Sequence, residues 1–132
     1  MQAEPDARSL ISSVRHFLEA ELLPVTADPR LRFRLHIAAN VLAVVERELE
    51  LGRELVDVEL RRLRQLMRKE GALQVGEEEA QLRELNEELA RSLLDQEVTA
   101  EPGNALWDHL RRTLVEALTV ANPGYLQRIG ET

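Results

Sequence analysis

Apolar residues recur at intervals of three and four along almost the whole of this chain, and that spacing commits it to amphipathic helices. An α-helix turns once in about 3.6 residues, so such spacing gathers side chains on one face, and that face must be covered by another element. The composition agrees. Leu, Ala, Glu and Arg, all strong helix formers, dominate, while aromatic residues make up only 3% of the chain and β-branched residues concentrate in one region.

The breakers then divide the chain. A first helix is predicted over 6–23, entered after Pro5, with Leu10, Ile11, Val14, Phe17, Leu18 and Leu22 as its stripe and Pro24 as its stop. A second starts at Pro29, capped by Asp28, and runs to Leu51, with Gly52 as a natural C-terminal cap. From Ile37 to Val45 it is apolar nearly all round, which predicts a central helix touched from several sides. A third is expected over 57–70, packing through Leu60, Leu63, Leu66 and Met67, and is broken by the segment from Gly71 to Gly76. A fourth, over 77–96, opens with three glutamates suited to a helix N-terminus and carries Leu82, Leu85, Leu89 and Leu93. A fifth, over 104–121, is expected to bury Leu106, Trp107, Leu110, Leu114 and Leu118; Asn122-Pro123-Gly124 ends it, and 125–129 adds a short turn. The expected architecture is an all-α, single-domain bundle of about five antiparallel helices over 1–132, with a long central second helix.

Composition narrows the function. The chain has 132 residues, enough for one domain with its own core. It contains no cysteine, which removes disulfides, thiolate metal sites and a cysteine nucleophile and fits a cytoplasmic location. No apolar run approaches the ~20 residues of a membrane span, and residues 1–8 lack the apolar core of a signal peptide. A net charge of −7 argues against nucleic acid as the main partner. Lys69 is the only lysine among many arginines, a bias that fits either a GC-rich genome or a thermophilic host.

Catalytic and cofactor motifs are missing. There is no Gly-x-Gly pair to cradle a phosphate, and Ser9, Ser12, Ser13 and Ser92 sit in helical patterns rather than in a nucleophile elbow. The residues three before His16, His36 and His109 are Ser13, Phe33 and Leu106, so the Glu-x-x-His of di-iron bundles is absent and no metal is expected. The basic residues of the third helix (Arg61, Arg62, Arg64, Arg68 and Lys69) read best as a solvated face pairing with Glu84, Glu87 and Glu88, with anion binding as the alternative.

The polar residues that stand out lie on the second helix. His36 and Asn40 are one turn apart, with Arg32 and Arg47 near the same line. Asn40 is a poor helix former set among Ala38, Ala39, Val41 and Leu42, so a buried amide is expected there, either fixing register or lining a cleft. Trp107 reads as core unless its face proves exposed, in which case it is an interface anchor. His16 and His109 read as peripheral.

Two segments carry a resemblance. Ile37-Ala-Ala-Asn-Val-Leu-Ala-Val-Val-Glu-Arg-Glu-Leu49 and Ala121-Asn-Pro-Gly-Tyr-Leu126, with the opening Pro5-Asp-Ala, resemble a family of small bacterial helical proteins of unknown function. Members are typically encoded beside an aminoglycoside-phosphotransferase-like kinase and an acyl-CoA dehydrogenase. The resemblance implies an accessory role in acyl-CoA metabolism, with Asn40, Glu46, Arg47, Glu48, Asn122 and Pro123 as motif residues. His36 departs from it, since arginine is more usual there.

The expected function is therefore a non-catalytic accessory or regulatory protein partnering such a kinase or dehydrogenase. The alternative is a module binding an anionic, acyl-CoA-like small molecule near Asn40, Arg47, Asn122 and His36, where arginine's fork suits a carboxylate or phosphate. A third reading makes His36 a catalytic base. A symmetric homodimer is also within the expectation, through the leucine stripe of the fourth helix.

Overall fold

Residues 6–130 are described by the computed structural model, and among them every regular element is a helix. Asp6 begins the first, α1 (Ala7–His16), by accepting a hydrogen bond from the Ser9 amide at 2.8 Å. That bond holds the Asp6 carboxyl below its ordinary range. Pro5, expected at this entry, lies outside the described residues. The helical run continues as a wider π-turn over Phe17–Leu22 and a tight 3₁₀ turn over Leu23–Val25, so the expected helix over 6–23 changes pitch in its second half. The carbonyls freed at its end are taken up locally. The Thr26 hydroxyl donates to Leu22 O at 2.7 Å, and Arg32 donates to the carbonyls of Leu23 at 2.6 Å and Thr26 at 3.1 Å.

Asp28 then caps α2 (Pro29–Leu66), accepting from the Arg30 amide at 3.2 Å. The helices expected over 29–51 and 57–70 are one helix of 38 residues. Gly52 does not end it, because its backbone stays out of the left-handed region that a terminal glycine adopts. A glycine inside a helix costs about 1 kcal/mol relative to alanine, too little to break a run whose apolar periodicity continues through Leu55, Val56 and Leu60. The helix stops instead at Arg68, which takes φ 55° while the Lys69 amide reaches back to Arg64 O at 2.8 Å.

The remaining helices are α3 (Glu78–Leu94), α4 (Ala105–Ala121) and α5 (Pro123–Arg128). Gln96, at φ 58°, closes α3 as Arg68 closes α2. Asn104 caps α4, its Oδ1 accepting from the Trp107 amide at 2.8 Å. Pro123 opens α5, where only a turn over 125–129 was expected.

The chain divides into two compact units. The first comprises the residues up to Gly52 with Val120–Asn122. It buries Leu23, Leu35, Ala39 and Val120. Within it, Arg15 forks onto Glu46 and also bonds Glu19 at 2.9 Å, while Arg8 and Glu50 pair in solvent at 3.2 Å. The Ile37–Val45 run is not enclosed: Ala39 is buried, but Ile37 and Val41 are exposed.

The second unit comprises 53–119 and 123 onward. Its core is Leu60 and Leu63 of α2, Leu82 and Leu89 of α3, and Leu106 of α4, with Leu66, Met67, Leu85 and Leu93 packed around them. The leucine stripe of α3 thus faces its own core rather than a twin subunit. Of the basic cluster from Arg61 to Lys69, Lys69 pairs with Glu88 at 3.2 Å, as expected, whereas Arg61 and Arg64 turn to the carbonyls of Asp57 and Gly71.

The largest departure concerns α4. Its buried face is Leu106, His109 and Val120, with Thr113 and Glu116 between them partly buried. Of the expected core stripe, Leu106 is buried and Leu118 partly so, whereas Trp107, Leu110 and Leu114 point outward, 41%, 38% and 60% exposed. Four hydrogen bonds from Arg62 hold His109, Thr113 and Glu116 inward, while Trp107, Leu110 and Leu114 lie on the open side of α4.

Candidate functional site

The motif residues of α2 divide into fasteners and free side chains. Glu46 accepts the Arg15 fork, which lowers its carboxyl from the ordinary range and raises Arg15. Arg47 donates through Nε to the Val120 carbonyl at 2.7 Å. That oxygen is one of the last four carbonyls of α4, which have no partner within their helix, so Arg47 acts as a side-chain cap. Asn122 lies two residues beyond the capped carbonyl, so Arg47 and the Asn122 segment are brought together.

Asn40 is not a buried amide. It is exposed, and the buried position beside it belongs to Ala39. It sits two turns before Arg47 on α2, roughly 10 Å away along the axis. His36 is exposed one turn earlier still. Arg47 and the Asn122 segment are thus neighbours, while Asn40 and His36 stand exposed earlier along α2.

A polar centre that the sequence reading passed over lies in the second unit. His109 is 3% exposed, the one residue among the described polar and charged groups to be so buried. Arg62 donates through Nε to its Nδ1 at 2.9 Å, through Nη2 to Thr113 Oγ1 at 2.9 Å, and through both Nη atoms to the Glu116 carboxylate at 2.9 Å each. Because Nδ1 accepts, the ring is the neutral tautomer with its proton on Nε2. Burial pushes its pKa below the ordinary value, the Arg62 charge pushes the same way, and Glu116 opposes them. His109, Thr113 and Glu116 follow one another at four- and three-residue spacing, a polar line on one helix face that the sequence does contain.

This centre borders an open depression of about 370 Å³ lined by Arg62, Gln65, Leu66, Ala105, Asp108, His109 and Arg112. The charge of Arg62 is already matched by Glu116, which leaves Arg112 as the cation, Asp108 as the carboxylate and the Gln65 amide and neutral His109 ring as further polar groups of the lining. Such a lining suits hydrogen-bond recognition better than proton abstraction, since the accepting nitrogen of His109 is occupied.

Among the described residues no group of three or more His, Asp or Glu is placed to hold a metal ion, and no helix is long and apolar enough to cross a membrane. Neither the curated proteins nor the solved structures give a match to this chain. The family model for a domain of unknown function, DUF6285, matches residues 25–125, and the chain belongs to that family.

Proposed function

We propose that this protein is a non-catalytic accessory or regulatory subunit, bacterial and cytoplasmic, that docks onto a kinase-like phosphotransferase or an acyl-CoA dehydrogenase of acyl-CoA metabolism. The choice of partner rests on the resemblance of the 37–49 and 121–126 segments. The observation that supports docking is the orientation of α4, which turns His109, Thr113 and Glu116 inward and presents Trp107, Leu110 and Leu114 to solvent. A helix ordinarily buries the apolar side. An outward Trp is a residue type enriched at interface hot spots, and Leu110 and Leu114 extend its apolar face along the following turns.

Co-expression with each candidate enzyme, followed by size-exclusion chromatography, tests the proposal. A complex that persists at micromolar concentration, and that Trp107→Ala with Leu114→Ala abolishes while the helical circular dichroism is kept, is the expected result. Separate elution from both enzymes overturns it.

The depression beside His109 favours a second reading, a binding module for an anionic, acyl-CoA-like molecule, with Arg112 as the cation. Thermal-shift measurements with CoA thioesters and acyl phosphates decide it: stabilisation that Arg112→Ala removes supports this reading, and no stabilisation eliminates it.

A further inference from the structure

The first unit carries a stripe that is complementary to itself. Phe33, Ile37 and Val41 follow at four-residue spacing on α2 and are 65%, 48% and 54% exposed, so a side chain from each of three successive turns lies open. Arg30 stands before them and Glu48 after them, both exposed and neither in an ion pair among the described residues. The two are 18 residues apart (48 − 30), which is five turns at about 3.6 residues each, so they lie on one line along the helix. Their midpoint is residue 39, and Ile37 and Val41 are placed symmetrically about the same point.

We propose that this face of α2 is the interface of a two-fold homodimer in which α2 pairs antiparallel with α2 of a second copy. A two-fold axis at the level of residue 39 sets Ile37 against Val41 of the second copy and Val41 against its Ile37. The same operation sets Arg30 against the second copy's Glu48, and Glu48 against its Arg30. Phe33 falls opposite the turn that holds Val44 and Val45. An isologous contact needs complementary groups under one rotation, and this stripe, cationic at one end through Arg30 and the exposed Arg34 one turn on, apolar through Ile37 and Val41 and anionic at Glu48, provides them. An unrelated partner has no reason to match the symmetry of the charge placement. The first unit also needs the cover, since it buries only Leu23, Leu35, Ala39 and Val120 of its own described side chains. Asn40, three residues on from Ile37, borders the stripe, where a polar group helps to hold one register.

Charge exchange tests the arrangement. Sedimentation equilibrium of the full chain at about 1–100 µM is expected to show a dimer. Arg30→Glu and Glu48→Arg should each raise the dimer dissociation constant about tenfold or more, because each sets like charges face to face twice. Mixing the two single variants should restore association, as a heterodimer, and so should the double variant Arg30→Glu/Glu48→Arg. Circular dichroism checks that each variant keeps its helices. A chain that remains monomeric at about 100 µM overturns the proposal. So does a dimer that Ile37→Glu with Val41→Glu leaves intact, or a mixture of the single variants that associates no better than either alone.

Discussion

Arg62 and His109 meet as donor and acceptor, Nε to Nδ1 at 2.9 Å, across the interior of the second unit. The bond exists only while the imidazole is neutral, since a protonated ring has no lone pair to offer and would set its own charge beside the guanidinium. The fold therefore favours the neutral ring, in keeping with a pKa lowered by burial and by Arg62.

A pH dependence follows with a definite sign. The unfolded chain takes up the His109 proton near the ordinary value of about 6.5, and the folded chain resists it to lower pH. Stability is thus fully present above about pH 6.5 and falls as the pH drops from there toward the lowered folded value. Urea unfolding at a series of pH values should show this loss. His109→Leu should flatten the slope, while costing about 1–3 kcal/mol at neutral pH because Arg62 Nε is left without its acceptor. Glu46 and Asp6, both held below their ordinary values of 4.5 and 3.8, add a separate loss of the same sign at still lower pH.

The Arg62–Glu116 pair should behave as one unit. Both side chains are mostly buried, so Arg62→Met or Glu116→Leu alone strands a charge and should cost about 2 kcal/mol. The double variant should be less destabilised than the sum of the two, with a coupling energy above about 0.5 kcal/mol in a thermal or urea double-mutant cycle.

Gly52 sits in ordinary helix and Gln96 holds a left-handed position without being glycine, and replacing each should stabilise the chain. Gly52→Ala should add about 0.5–1 kcal/mol, once the Glu48 carboxylate, 2.9 Å from the new Cβ, swings aside. Gln96→Gly should stabilise by a similar ~0.5–1 kcal/mol, because Gln96 holds φ 58° at the end of α3. Gly103→Ala, at φ +93°, should do the reverse. Melting temperatures of the three variants check the order.

The motif residues of α2 should separate by stability. Arg47→Met removes the cap on Val120 O and should cost about 1 kcal/mol. Asn40→Ala touches an exposed helical position and should change stability by less than about 0.5 kcal/mol, or raise it slightly. Chemical denaturation of both variants distinguishes a residue that fastens the fold from one that serves the surface.

Most of the helical pattern was legible from spacing and caps. Asp28-Pro29 marks the start of α2, Pro24 disturbs the end of the first helical run, and the leucines of α3 mark a core face. Gly52 does not break α2, because a glycine marks a helix end only where the chain takes up the left-handed conformation, and Arg68 takes that role without being glycine. His109 was passed over for a different reason. A lone histidine among leucines gives no sign of burial, and only its alignment with Thr113 and Glu116 hints at a polar face that a buried arginine could satisfy.

The sequence by itself determined that this protein is all helix and which residues are able to lie on a face, because helical periodicity and capping act over a few neighbouring residues. Only the tertiary structure decided which face of each helix is inward. On α4 an arginine forty-seven residues earlier in the chain satisfies a histidine, a threonine and a glutamate together, and that network holds all three inward. On α2 the small Ala39 takes the buried position and leaves Phe33, Ile37 and Val41 in the open. Periodicity groups side chains into faces, but the choice between two competent faces depends on distant partners that no local spacing encodes.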